Sequence, residues 1–361
     1  MYNLLLALLV SPAPTPAPQT TVVTPISVPP QRWIKRPFVT WVTGEMAGAD
    51  VVFEVRFHPR VAGSAVIGVA VVEPRHAVDG IDFVPGTAEV VVGMPTGIIS
   101  HYDLASGGVL PDFIADTDMV MPPPAGPGTH PSTVLSTPFH FYYIENQFGF
   151  GGTASHRIMR KTFGPGPTDL VYDGAPHGLV NFEGLEFVLV GSRLYFFAKD
   201  PLLPVGRALV SIGLAPGGLW NGIPPALHIG GLTEDPGVGD GSDELDYDPF
   251  SGLLFGTNIV NGEMIAWDPL VGAEVSSPGA VHFIDGADIA ASAGPLGTLD
   301  GEIDGVRSVG NGWLVVTGKA GVIASIDVAG VLADGADDGD VRVLALVPGL
   351  SFDDLTPILR P

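Results

Sequence analysis

"DGIDFV", Asp79 to Val84, opens a pattern that recurs along the chain. A near copy, "EGLEFV", starts at position 183, and weaker copies start at 243 ("DELDYD"), 304 ("DGVRSV") and 353 ("DDLTPI"). The intervals between the opening acids are 104, 60, 61 and 49 residues, so the first interval is about twice as long as the others. This spacing predicts a degenerate sixth copy near residue 131, where "HPSTVLSTP" places Ser132 and Val134 at the positions of the acid and the aliphatic residue.

A second signature follows inside each unit. Two apolar runs come after the opening motif, and in three units the second run ends in aspartate, at Asp103, Asp268 and Asp327. The unit that starts at Glu183 matches more loosely and carries Ile212 in that place. Apolar runs separated by Gly, Pro, Asn and Asp are typical of short antiparallel strands, and no segment shows a sustained helical period. A repeat of roughly 50 to 60 residues with about four strands indicates one blade of a β-propeller.

The sequence therefore predicts an all-β fold, a six-bladed β-propeller in a single domain over residues 32–361. The last unit stops after one strand, whereas the segment before Asp79 supplies strands but has no opening acid. We expect the N-terminal strands to pair with the C-terminal strand in one blade, which closes the ring and leaves no free sheet edge at the seam. Five or seven blades are alternatives, because the second repeat rests on weak residues.

Composition excludes several classes of function. The formal charge of −23 repels phosphate backbones and anionic lipid surfaces, so nucleic acid is not an expected partner. Cations and neutral ligands suit such a surface, although acidity could also serve only to keep an exported protein soluble. The chain has no cysteine, so disulfides, thiolate chemistry and sulfur-bound zinc are excluded. No Gly-rich phosphate loop, HExxH pair or G-x-S-x-G elbow is present.

The N-terminal segment, residues 1–31, is predicted to be a signal segment followed by a proline-rich tether. Its apolar run from Leu4 to Val10 is too short to span a bilayer but has the length of a signal-peptide core. No Lys or Arg precedes the run, which is a departure from the usual signal pattern. We expect a secreted or periplasmic monomer without a transmembrane span, acting on a small-molecule substrate or an extracellular ligand.

The opening acids are the candidate metal ligands. Inner strands of a propeller begin near one mouth of the central channel, so the motif predicts a ring of carboxylates formed by Asp79, Glu183, Asp243, Asp304 and Asp353. Like charges brought together raise one another's pKa, and a bound cation relieves them. Oxygen ligands with loose geometry favour Ca²⁺ over Mg²⁺. The alternative is that each acid only caps a turn, repeated in every blade without any site.

Three histidines stand just upstream of predicted inner strands: His76, His130 and His177. In loops on the same face as the ring, a neutral imidazole could act as general base or as an additional ligand. The alternative is that they are solvated loop residues.

The repeat pattern resembles the six-bladed propellers of the gluconolactonase and senescence-marker family, with paraoxonases and NHL-type repeats as wider relatives. That family holds a catalytic divalent cation with Glu in an E-G motif, Asp in a D-G motif, and Asn residues including one in N-G-L. The resemblance places Glu183 in the first motif and Asp304 in the second, with Asp79 where Asn is expected. It implies a calcium-dependent, or other divalent-cation-dependent, hydrolase of lactones or related esters. The alternative is a non-catalytic propeller, with a structural ion or none, that binds a glycan, peptide or protein.

Overall fold

A computed structural model describes most of the propeller. The described residues are 37–73, 78–94, 98–114, 129–130, 133–147, 155–163, 166–203, 205–234, 241–299, 301–336 and 339–359. The predicted signal segment and tether (1–31), His76 and Ser132 lie outside these ranges.

Six small antiparallel sheets form the blades of the propeller. In order from the innermost strand outward, blade 1 contains β25 (Leu350–Leu355), β1 (Phe38–Met46), β2 (Ala49–Phe57) and β3 (Val66–Val72). Blade 2 contains β4 (Ile81–Phe83), β5 (Glu89–Met94), β6 (Ile98–Asp103) and β7 (Gly108–Val109). Blade 3 contains β9 (Val134–Ser136), β10 (His140–Gln147), β11 (Ser155–Thr162) and β12 (Thr168–Asp173), and β8 (Thr129–His130) also pairs with β10.

The remaining three blades follow in chain order. Blade 4 contains β13 (Glu183–Val188), β14 (Arg193–Lys199), β15 (Arg207–Gly213) and β16 (Ala226–Leu232). Blade 5 contains β17 (Ser242–Asp248), β18 (Leu253–Asn258), β19 (Met264–Asp268) and β20 (Ala273–Glu274). Blade 6 contains β21 (Val306–Ser308), β22 (Trp313–Gly318), β23 (Val322–Asp327) and β24 (Val341–Leu346).

The blade count and the ring closure are confirmed. Strand β9 begins at Val134, so the degenerate copy in the sequence does mark a blade. Strand β25 pairs with β1 in blade 1, which joins the two ends of the propeller as predicted. The Thr40 hydroxyl in β1 donates to the carbonyl of Thr356 at 2.8 Å and fastens the same seam.

Helices are few and short among the described residues: α1 (Gly286–Ala291), α2 (Val328–Asp334) and two 3₁₀ turns (Ala175–His177 and Leu296–Leu299). Segments of six or seven residues are too short to produce a sustained helical period, which is why the sequence pattern did not reveal them. No helix in the described part of the chain is long and apolar enough to cross a membrane.

The core lies between neighbouring sheets. The largest cluster joins blades 5 and 6 through fully buried residues such as Phe255 and Leu314 and includes Ile289 of α1. Alternation along each strand sends every second apolar side chain to each face, so both faces of a blade bury apolar surface. Each such side chain contributes roughly 1.5–3 kcal/mol when fully buried.

A β-bulge occurs where each motif-bearing inner strand meets its neighbour. In blade 2, Gly93 accepts from the amide of Asp79 and donates to the carbonyl of Gly80, so two residues of one strand oppose one of the other. The same shift of register lies between Glu183 and Glu186 in blade 4. In a regular strand, side chains alternate between the two faces of the sheet. The extra residue of the bulge shifts this alternation by one position, so the opening acid and the residue three positions later face the same side. That side is the central channel.

Threonine hydroxyls support these bulges. Thr317 lies opposite the bulge of blade 6, accepts a hydrogen bond from the amide of Gly305 at 3.1 Å, and donates to the carbonyl of Asp353 in blade 1 at 2.5 Å. Thr257 makes the corresponding link, accepting from the amide of Glu244 and donating to the carbonyl of Asp304 in blade 6. The hydroxyls therefore tie the bulge of one blade to the inner strand of the next.

His282 fastens the segment that joins blades 5 and 6. Its Nε2 lies 2.8 Å from Oε1 of Glu263 and its Nδ1 lies 2.5 Å from Oε1 of Glu274. The hydrogen bonds to Glu263 and Glu274 raise the pKa of His282 from 6.5 to about 10. The imidazolium is therefore the favoured form in the folded protein at neutral pH.

Replacing His282 with glutamine is expected to lower the free energy of unfolding by about 2 kcal/mol at pH 6, because the hydrogen bonds are charge-assisted. Because the pKa of His282 is higher in the folded protein, its protonation stabilises the fold fully at pH values below the unfolded-state pKa of 6.5. This stabilisation is lost as the pH rises to about 10. Urea unfolding of both proteins between pH 6 and pH 10 should show the difference shrinking. A difference that stays constant over this range would contradict the proposed imidazolium.

Candidate cation site at the channel mouth

The five predicted acids surround one cavity at the mouth of the channel. We call them the mouth cluster: Asp79, Glu183, Asp243, Asp304 and Asp353. The cavity has a volume of about 200 Å³, and its walls also include Arg207 and Lys319. Sequence reasoning brought these carboxylates together correctly, because each stands where an inner strand begins or forms its bulge.

Asp304 is the most enclosed member of the mouth cluster, with 2% of its surface exposed. Its Oδ2 accepts no hydrogen bond from the described residues. The nearest positive charge is Nζ of Lys319, 3.3 Å from that oxygen, and the same Nζ lies 4.0 Å from Oδ1 of Asp353. Lys319 lies in the turn between β22 and β23, at the end of blade 6 that faces the mouth.

Burial and mutual repulsion raise the pKa values of the cluster. Burial raises the pKa of Asp304 to about 7, and Lys319 acts in the opposite direction. The pKa of Asp79 is raised well above its ordinary value, first by burial and then by the charge of Asp243. Burial and Asp304 raise the pKa of Asp243 in the same way. The mouth is thus a site where additional positive charge is favourable.

The turn-cap interpretation fits a different set of repeated acids. Asp103 Oδ1 accepts from the amide of Ala105 at 2.9 Å, and Asp268 Oδ1 accepts from the amide of Leu270 at 2.8 Å. These aspartates end the second apolar run of their units, and they cap the following turn. Turn caps are thus shown at the closing acid of these two units, whereas the mouth cluster consists of the opening acids.

The three predicted histidines are not brought together among the described residues. His76 is outside those ranges, and for His130 the structure describes only its place in β8. His177 stacks on Tyr172, with 5.6 Å between ring centroids, and its Nδ1 lies 3.0 Å from the tyrosine hydroxyl. Its ring also contacts Trp220, and His177 is not part of the cavity wall. A base role stays a prediction for all three histidines.

A second layer of charge lies beside the mouth cluster, and the sequence analysis missed it. Its centre is Arg307, whose guanidinium pairs with Glu244 and approaches Asp246 at 3.9 Å. We call the five acids that share the electrostatic environment of Arg307 the inner cluster: Asp82, Glu186, Glu244, Asp246 and Asp354. The available signal was the acid three positions after the opening acid, as in "DGIDFV", "EGLEFV" and "DELDYD".

Two acids of the inner cluster have a structural role. Asp82 accepts from the amide of Ser136 in blade 3 at 2.6 Å, and Asp246 accepts from the amide of Ser308 in blade 6 at 2.6 Å. Each acid thereby bonds the inner strand of the next blade. These contacts explain why the acid recurs at this place without any ligand.

The chemistry of the mouth cluster fits a hard divalent cation. Its five side chains offer only carboxylate oxygens, which are the ligands that hard cations prefer. One of these oxygens, Oδ2 of Asp304, is buried and has no hydrogen-bond donor among the described residues. The cavity has room for an ion and water. As the side chains lie, no three acidic or imidazole groups in the described ranges are grouped closely enough to hold one metal ion. A metal ion held by three of these groups would therefore require their side chains to rotate toward one another.

No protein-family model matches the chain, and no curated protein matches it. Solved structures do match in fold. A chain from a nidogen/laminin complex aligns with a TM-score of 0.57 and 13% identity, over 89% of this chain and 98% of that one. A Bacteroides thetaiotaomicron protein of unknown function aligns with a TM-score of 0.51 and 11% identity, over 90% and 86%.

A Bacteroides fragilis protein described as a "putative 6-phosphogluconolactonase" aligns with a TM-score of 0.50 and 12% identity, over 92% of this chain and 100% of that one. At these identities the likenesses establish the propeller fold alone.

Proposed function

We propose that the mouth cluster binds a divalent cation, with Ca²⁺ as the first choice, and that the loaded site hydrolyses a lactone or related ester. The observation that carries the proposal is the convergence of five carboxylates from five blades on one cavity of about 200 Å³. The fold-level likeness to the Bacteroides fragilis protein is consistent with lactone chemistry and adds no residue-level support.

The chain's own residues would bind the ion and handle the proton. Glu183, Asp243 and Asp304 supply oxygen ligands from three consecutive blades. A bound divalent cation would supply Lewis acidity toward the substrate carbonyl. Asp79 is the proposed proton acceptor because it borders the cavity, and burial raises its pKa well above the ordinary value, which makes its carboxylate a stronger base.

The test is the double variant Glu183→Gln, Asp304→Asn. We expect calcium affinity to fall by more than about 100-fold, because loss of a ligand should cost more than loss of an outer-shell contact. Turnover of a panel of lactones should disappear with it. The melting temperature without calcium should stay equal or rise, because the substitutions reduce repulsion inside a buried acidic cluster. Isothermal titration calorimetry, a lactone assay and thermal unfolding measure the three quantities.

Asp268→Asn is the matched control, because it removes a carboxylate at a turn outside the cavity. It should bind calcium and turn over substrate as the unmodified protein does. Elemental analysis that finds no divalent metal in unchelated protein, together with no calcium binding in calorimetry, would refute the proposal.

A non-catalytic role is the second candidate, and one observation favours it. Hairpins at the channel end opposite the mouth carry exposed apolar side chains: Phe139, Leu189, Phe250 and Leu270 are 77, 78, 70 and 81% exposed. Phe139 and Leu189 also border an apolar cavity of about 510 Å³ between blades 3 and 4. Exposed apolar groups of this kind are typical of protein-binding surfaces. Calcium binding without turnover of any lactone would favour this candidate.

A further inference from the structure

The walls of the mouth cavity contain two basic side chains, and they differ in freedom of movement. Arg207 is 1% exposed and its Nη1 donates to the carbonyl of Asn181 at 3.3 Å. The side chain of Lys319 is 42% exposed and is placed in a turn between two strands. Arg207 is thus part of the fixed wall, whereas Lys319 reaches the cluster from the solvent side.

The ammonium of Lys319 lies beside the carboxylates that an external cation would contact. Its Nζ lies 3.3 Å from Asp304 Oδ2, the buried oxygen that has no hydrogen-bond donor among the described residues, and 4.0 Å from Asp353 Oδ1. An ammonium and a metal ion in contact with the same carboxylates repel each other strongly at this range. The two positive charges therefore compete for one position.

Lys319 can leave the cluster without a large rearrangement. The lysine side chain has a flexible four-carbon stem that ends in a strongly hydrated ammonium. When this side chain rotates toward solvent, the ammonium regains its hydration. Its backbone can stay in place, because the turn is fixed by the amide of Gly321 donating to the carbonyl of Gly318 at 3.0 Å. Movement of one side chain is enough to open the site.

We infer that Lys319 is a tethered cation that occupies the mouth cluster in the resting protein and competes with external cations for it. If the site binds a cation as proposed above, competition from Lys319 sets the cation concentration at which the site fills. This consequence rests on the proposed function. The ligand class that follows is wider than metal ions, because the position already accepts a primary ammonium.

The first experiment measures calcium affinity by calorimetry in the full-length protein and in Lys319→Gln and Lys319→Arg. Lys319→Gln should bind calcium about tenfold more tightly or better, because the competing charge is gone. Lys319→Arg should stay within a factor of about three of the unmodified protein, because the charge is retained. Lys161→Gln is the control, since its Nζ contacts the carbonyl of Phe113 and is not part of the cavity wall. Equal affinity in all four proteins would overturn the inference while leaving the proposed function intact.

The second experiment does not depend on calcium. In Lys319→Ala, n-propylammonium replaces the missing part of the side chain and should raise the melting temperature in a concentration-dependent way. The unmodified protein should show no such rise, and n-propanol should produce none in either protein. If no protein binds calcium but the ammonium rescue occurs, the inference stands and the proposed metal site fails. If n-propylammonium changes the melting temperature of both proteins equally, or of neither, the inference fails.

Discussion

Replacing Arg307 with methionine should lower the free energy of unfolding at pH 7 by about 3–5 kcal/mol, because it leaves several buried carboxylates without their counter-charge. The side chain of Arg307 is 8% exposed, and its guanidinium pairs with Glu244, whose side chain is 3% exposed. Its Nη1 also donates to the carbonyl of Leu245 at 3.2 Å. Methionine has a similar length but no charge, so the expected loss arises from electrostatics and hydrogen bonding more than from packing.

Urea unfolding monitored by tryptophan fluorescence measures this loss. Arg56→Met is the matched control, because Arg56 pairs with Glu54 at the surface, where an ion pair is worth about 0–1 kcal/mol. If Arg307→Met lowers the free energy of unfolding by less than 1 kcal/mol, the inner cluster does not need the positive charge of Arg307 for stability. A protein too unstable to purify would agree with the prediction, and Arg307→Lys would then provide an intermediate loss to measure.

Replacing Gly305 with valine should destabilise the fold by about 3 kcal/mol, because the inner strands of blades 6 and 1 approach closely at this point. A Cβ at Gly305 would lie 2.5 Å from Leu355 Cδ1, 2.6 Å from Thr317 Oγ1 and 2.7 Å from the carbonyl oxygen of Asp353. Two of these neighbours belong to blade 1, so relief of the clash would force the blades apart.

Gly68→Val is the control for this substitution. Gly68 lies in a strand, and a Cβ there meets no atom within 4 Å. Valine suits a strand, so the control should be neutral or slightly stabilising. Equal losses for the two variants in chemical unfolding would show that glycine after the opening acid is not needed for blade contact.

The repeat pattern was sufficient to predict the blade count, the joined chain ends and the members of the mouth cluster. It could do so because the opening acid lies at the start or in the bulge of an inner strand in every clear copy. The glycine of the motif also has an explanation that the sequence did not reveal. At Gly184 and Gly305 a side chain would collide with the backbone carbonyl of the next blade's opening acid, at 2.3 and 2.7 Å.

The inner cluster could not be predicted by strand periodicity. In a regular strand, residues three positions apart face opposite sides, so Asp82 and Glu186 would be placed away from the channel. The bulge moves these side chains to the channel side of the sheet. Strand periodicity does not reveal the bulge, because the bulge depends on hydrogen bonds between two strands. Lys319 was missed for a related reason, because it reaches Asp304 across a turn between two other strands of the same blade.

Strand β25 has a consequence for the order of events during biosynthesis. It follows the strands of all other blades in the chain, yet it is the innermost strand of blade 1 and contributes Asp353 to the mouth cluster. The mouth therefore lacks one wall until ribosomal synthesis has passed the final blade and β25 has docked beside β1. A nascent chain without β25 has an open mouth that lacks Asp353, and a cation that binds the complete mouth as proposed would favour the closed ring over the open one.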